Sequence, residues 1–136
     1  GYLAGVCRTA VVGQATSEQQ QIWANLIECK YLVMDRIKPG ARCKEIYQSF
    51  LAKFNELGFD PISFVAHGIG LHLHEEPYMG RYGDEIVETG MVGAFEPLVY
   101  IPDRFGMQNK DMFCVSQNGC ELLSDYTPAD TLLAVG

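Results

Sequence analysis

Near Pro61 the hydrophobic pattern of this chain changes period, and that change limits the folds open to it. Before it, apolar residues recur every three or four positions: Ile22, Leu26, Ile27, Leu32 and Val33, then Ile46, Phe50, Leu51, Phe54 and Leu57. Such spacing puts each set on one face of a helix. Ser17-Glu18-Gln19-Gln20 reads as a capping box with Ser17 as the cap, so a first helix is expected from there to about Ile37. Lys38-Pro39-Gly40 breaks it; a second helix is expected from about Cys43 to Leu57, with Gly58 as its stop. After Pro61 the pattern suits strands: Ile62–Ala66, the apolar run Met91–Ile101, Met107–Ser116 and Cys120–Leu123, the last two joined by the turn Gln117-Asn118-Gly119. Residues 2–12 are expected as a strand and residues 78–90 as a polar loop. Two helices followed by antiparallel strands make an α+β domain, and 136 residues suffice for one domain with a real core.

Charge and cysteine usage narrow the function classes. The formal net charge is −7 and the 10 basic residues are scattered, which argues against a nucleic-acid surface. No apolar run reaches the length that spans a bilayer, so no membrane partner is expected. The 5 cysteines (Cys7, Cys29, Cys43, Cys114, Cys120) are odd in number and form no CxxC pair, which points to unpaired thiols in a reducing compartment, the cytoplasm. The start, Gly1-Tyr2-Leu3-Ala4-Gly5, has neither an initiator Met nor a signal-peptide layout, and is expected to lie inside a longer protein.

Four residues stand out chemically. Glu96 sits in Met91-Val92-Gly93-Ala94-Phe95-Glu96-Pro97-Leu98-Val99-Tyr100, where every neighbour is apolar or Gly. A buried carboxylate needs a cation, a metal or strong donors; a solvent-facing Glu on an edge strand is the competing reading. His67 precedes Gly68-Ile69-Gly70, where backbone can approach closely. His72 and His74 are two apart, and on a strand they would share one face, a spacing suited to metal binding or paired acid/base work. Gly68-Ile69-Gly70 lacks the third Gly of a dinucleotide fingerprint, and no HExxH, GxSxG or phosphate-binding loop is present.

His67-Gly-Ile-Gly-Leu-His-Leu-His74-Glu-Glu-Pro77 resembles the GHGIGxxxHExP signature of the pita-bread metallopeptidases, the aminopeptidase P, prolidase and creatinase group. Glu88-Thr89-Gly90-Met91-Val92 through Phe95-Glu96-Pro97 is similar to their xxGMxxxxEP segment. Ile37-Lys38-Pro39-Gly40 matches an IKPG turn, and Gly1-Tyr2 through Arg8-Thr9 resembles the strand GYxxDxxRT. The four motifs are collinear over essentially the whole chain. The resemblance implies a partial pita-bread fold: two helices on a curved, mainly antiparallel sheet, with residues 1–136 as the C-terminal portion of one hydrolase domain. It also implies a homodimer.

Active members of that group hold two divalent ions on two Asp, one His and two Glu, which activate a water and polarise the scissile amide. By resemblance, His67 and Glu96 take metal-ligand places and His74 steadies the tetrahedral intermediate. The chain departs from the pattern at two ligand places, where Gly5 replaces an Asp and Lys110 replaces a Glu. The local charge shifts by three units towards positive, so no ion or a single divalent ion is expected rather than a dinuclear centre. Lys110 is expected to pair with Glu96 in the vacated space. A register shift of one would instead make Asp111 the site residue and Lys110 a surface lysine. Cys7 stands where creatinase carries a substrate-gripping Glu, which speaks against creatine as substrate.

The expected function is a hydrolase of a peptide or other small C–N-bonded substrate, with His67, His74 and Glu96 catalytic and His72, Glu75 and Lys110 contacting substrate. Two alternatives stand beside it. One is a noncatalytic domain that binds a peptide or partner protein; the other is an ordinary dinuclear peptidase whose ligand register has been misread.

Overall fold

The computed structural model describes residues 1–125 and 129–136. The helices lie where the period of three to four puts them. Helix α1 spans Ser17–Arg36 and α2 spans Cys43–Glu56. The cap of α1 is Thr16 rather than Ser17: the Thr16 hydroxyl accepts from the Gln19 N–H, and the Gln19 side chain accepts from the Thr16 N–H. Thr16/Gln19 and Ser17/Gln20 are overlapping boxes of the same chemistry, and the fold uses the earlier one.

Among the described residues nine strands follow or flank the helices: β1 (Ala10–Val12), β2 (Phe64–Gly68), β3 (Glu75–Gly80), β4 (Val92–Phe95), β5 (Leu98–Ile101), β6 (Phe105–Gln108), β7 (Asp111–Ser116), β8 (Gly119–Leu122) and β9 (Leu133–Val135). Five form one sheet in the order β3-β2-β4-β7-β8, all pairs antiparallel. β5 and β6 make an antiparallel ribbon, and β1 pairs with β9 in parallel.

Three expectations change. Of the strand expected over residues 2–12, only 10–12 are regular; the rest forms one isolated β-bridge, Cys7 with Lys110, beside side-chain contacts such as Arg8 with Asp111. The loop expected over 78–90 is β-structure as far as Gly80, because Tyr78 and Met79 pair with His67 and Ala66. His72 and His74 do not share a strand, since 69–74 bend between β2 and β3.

Both helices cover one face of the five-stranded sheet, α1 against β8 and the β5–β6 ribbon, α2 against β3 and β2. Trp23, Leu26 and Val33 of α1 and Ile46, Phe50 and Phe54 of α2 enter the core with Phe95, Phe113 and Val115 of the sheet. The opposite face carries a smaller cluster of Ile69, Ala94 and Met112. Alternation along β7 therefore sends Asp111, Phe113 and Val115 towards the helices and Met112 away from them. Among the described residues no helix is long and apolar enough to cross a membrane.

Candidate active site

The site forms on the sheet face away from the helices, and strand register assembles it. His67 of β2 lies opposite Ala94 of β4, and Ala94 lies opposite Met112 of β7. One step along, Phe95 faces Asp111, so the next position sets Glu96 beside Lys110. Glu96 has left β4 but stays anchored, its N–H donating to the Val65 carbonyl at 2.9 Å. Lys110 exchanges both backbone hydrogen bonds with Cys7 at 3.0 Å, which holds the N-terminal segment across the site. Gly68 allows β2 and β3 this close: a Cβ there would lie 2.3 Å from the Glu76 carbonyl oxygen, an impossible contact with backbone.

Glu96 is the hub. The Lys110 ammonium lies 2.6 Å from its Oε2, while His67 Nε2 and His74 Nε2 approach its Oε1 at 3.4 and 3.9 Å. The two imidazoles stack, with centroids 4.0 Å apart and planes 17° apart. Phe64 packs edge-on against both rings and against Tyr78, at 5.6 to 5.8 Å between centroids. His67 Nδ1 is 2.7 Å from the Gly68 carbonyl oxygen. That oxygen can only accept, so Nδ1 bears a proton, and Nε2 is the ring nitrogen turned into the cluster. This buried Nε2 has no hydrogen-bond partner.

Burial works to raise the Glu96 carboxyl, but its contacts with His67 and Lys110 outweigh that and hold it at about 2. His74 is shifted below its usual value by burial, then by the neighbouring His67; Glu96 pulls the other way and Lys110 adds to the lowering. At neutral pH Glu96 is thus ionised and paired with Lys110, with two imidazoles beside it.

Lys110 faces Glu96, and the alternative register, with Asp111 in the site, does not occur. Asp111 is buried on the helix side, held by Arg8 at 2.5 Å, Lys30 at 2.7 Å and the Ser124 hydroxyl at 2.7 Å. His72 and Glu75 engage each other: the Glu75 carboxylate accepts from the His72 N–H at 2.6 Å and lies 3.4 Å from His72 Nδ1. The structure brings His67, His74, Glu96 and Lys110 together and leaves His72 exposed. Phe64 and Tyr78 escaped the sequence reading because Tyr78 was expected in a loop. Lys30 escaped as well, although it lies four residues after Leu26 and three before Val33 on the apolar face of α1, where a lysine needs a buried partner.

Known proteins place this geometry. The sequence profile of Metallopeptidase family M24 matches residues 1–117. The chain belongs to that family. The Xaa-Pro dipeptidase of Pyrococcus furiosus is 30% identical over 125 residues, which are 90% of this chain and 36% of that protein. Among solved structures, dipeptidase PepE from Mycobacterium ulcerans superposes with a TM-score of 0.91 at 26% identity, over 99% of this chain and 36% of that one. The prolidase from Pyrococcus horikoshii superposes with a TM-score of 0.88 at 29% identity, over 96% of this chain and 38% of that one. The α+β pita-bread architecture expected from the motifs is the one present. The chain spans little more than a third of the M24 relatives it matches.

An M24 protein raises the question of metal. Ligand atoms of His67, His74 and Glu96 lie within 4.8 Å of one another, a nitrogen and oxygen set suited to one divalent transition-metal ion. This cluster contributes a single carboxylate, and one of its oxygens is already taken by an ammonium. A pair of divalent ions needs bridging anions to offset their mutual repulsion, and the cluster itself supplies none beyond Glu96.

Proposed function

We propose that the protein carrying this chain is an M24 hydrolase acting on a peptide or other small C–N-bonded substrate without a two-metal centre. The observation that carries this reading is the convergence of His67, His74 and Glu96 on one point beside the Lys110 ammonium. The name of the Pyrococcus furiosus relative makes Xaa-Pro dipeptides the first substrates to try.

Hydrolysis adds a water across the C–N bond, its hydroxyl to the carbonyl carbon and its proton to the leaving nitrogen. His74, partly open to solvent and neutral at pH 7, can take the proton from the water and hand it on. His67, its tautomer held by the Gly68 carbonyl, offers a second acceptor at Nε2. Glu96 anchors Lys110, which has three N–H donors and gives one to the carboxylate; the others can meet the oxyanion that develops on the carbonyl. Assembly as a homodimer in the cytoplasm belongs to the same reading, and all five thiols are free.

One observation favours a second reading, a noncatalytic cleft that binds a peptide or partner protein. The only carboxylate of the cluster is already satisfied by Lys110, so the site is electrostatically closed before any substrate arrives.

The test is hydrolysis of Xaa-Pro dipeptides and small amides by the full-length protein, with His67→Ala and His74→Ala alongside. Loss of roughly 10²–10⁴-fold in rate for His74→Ala supports the hydrolase. Pure protein that binds such peptides and cleaves none supports the second reading. Full activity in both variants removes the proposed centre.

A further inference from the structure

We infer that Lys110 is the resident cation of this site, a tethered ammonium in place of a divalent ion, and that Gly5 is the gap that admits it. The inference shares the reading of Glu96 given above, but its test reads metal binding and lysine reactivity, so it stands or falls apart from catalysis.

Three observations support it. The first is the pairing itself: Lys110 Nζ and Glu96 Oε2 are 2.6 Å apart, with side chains only 12% and 11% exposed. Two groups so shielded from water are held together by their opposite charges.

The second is volume. A Cβ on residue 5 would lie 2.6 Å from Lys110 Cε, 3.2 Å from Nζ and 3.3 Å from Cδ. The lysine stem passes over the Gly5 backbone, in the space where any larger residue would put its side chain. Gly5 and Lys110 are therefore one interlocked pair, and a side chain at one position displaces the side chain of the other.

The third is the bracing around the pair. Beyond the double Cys7–Lys110 backbone contact, Arg8 Nη1 donates at 2.8 Å to both the Cys7 and the Lys110 carbonyl. Residues 5–8 are pinned to the strand entering β7, so the lysine cannot leave Glu96 by a shift of that segment alone.

The pair divides the site. The Oε2 side of Glu96 belongs to Lys110, and the Oε1 side, with two imidazole nitrogens, is left for an incoming cation or N–H donor. A divalent ion entering there meets a fixed positive charge at the same carboxylate, which weakens it.

The experiment titrates the metal-free full-length protein with Co²⁺ by calorimetry, checking stoichiometry by elemental analysis. Wild type is expected to take up no more than one equivalent per site. Lys110→Met removes the charge and keeps most of the stem, and should tighten Co²⁺ binding on the order of tenfold or more. Lys110→Arg should stay like wild type, and Gly5→Ala, which pushes the lysine aside, should move in the direction of Lys110→Met. Tight uptake of two equivalents by wild type, or unchanged affinity in Lys110→Met, overturns the inference. Should Lys110→Met fail to fold, amine labelling of the native wild type read by mass spectrometry decides. Lys110 must react far more slowly than the exposed Lys38 and Lys44, and equal rates overturn the tethered cation.

Discussion

Lys110 and Asp111 are neighbours in sequence and belong to two charge clusters on opposite faces of one sheet. On the open face, one carboxylate meets one ammonium with two imidazoles at hand, and solvent still reaches His74. On the helix face, Asp111 is 1% exposed and draws in Arg8 from the N-terminal segment, Lys30 from α1 and Ser124 from beyond β8. The sealed cluster ties three distant parts of the chain together. The half-open one keeps His74 within reach of solvent. Buried charge can thus serve cohesion or chemistry, and the difference here is whether solvent can still reach the cluster.

That contrast is most exposed to test at Asp111. Replacing it with Ala leaves Arg8 and Lys30 without their shared anion in the interior, and should cost about 3–5 kcal/mol in urea unfolding. Adding Lys30→Met to Asp111→Ala should restore part of the loss, because it removes one of the stranded cations. A loss under about 1 kcal/mol in the single variant would erase the distinction between the two faces.

Lys110→Met should cost less, about 1–2 kcal/mol in the same measurement, since Glu96 keeps the His67 and His74 edges and some access to water. If Lys110→Met matched Asp111→Ala, the open-face pair would be a structural lock rather than a working site.

The smallest effect belongs to a third, fully solvated pair, Arg104 with Glu18 at the start of α1. Hydrogen bonding to Arg104 lowers the Glu18 carboxyl, yet both ends are exposed and screened. Arg104→Ala should leave the urea midpoint unchanged in 1 M salt and nearly unchanged in dilute buffer, on the order of the scatter between repeats. A clear shift that persists at high salt would show that exposure is not what ranks these clusters.

Much of this was legible before any coordinates. The motifs carried the family and fold, and the apolar setting of Glu96 carried the expectation of a cation, a metal or strong donors beside it. The positions of α1 and α2 follow from side chains repeating at the helical period, a local property. What failed to read was non-local. Thr16 and Ser17 offer equivalent caps, and only packing of the helix selects one. The bend between β2 and β3 separates His72 from His74, so a two-residue spacing that means one face on a strand meant nothing there. The β1–β9 pairing joins the two ends of the chain, and no local pattern announces it.

By itself the sequence determined which residues alternate to which side of each strand, since a period of two is built into extended backbone. It thereby settled that Lys110 and Asp111 point in opposite directions. Only the tertiary structure decided what each one meets: a stem lying over Gly5, an ammonium on Glu96, a lysine from α1 on Asp111. Such encounters depend on the register of strands and the docking of a helix, long-range contacts whose partners are chosen by how the whole core closes.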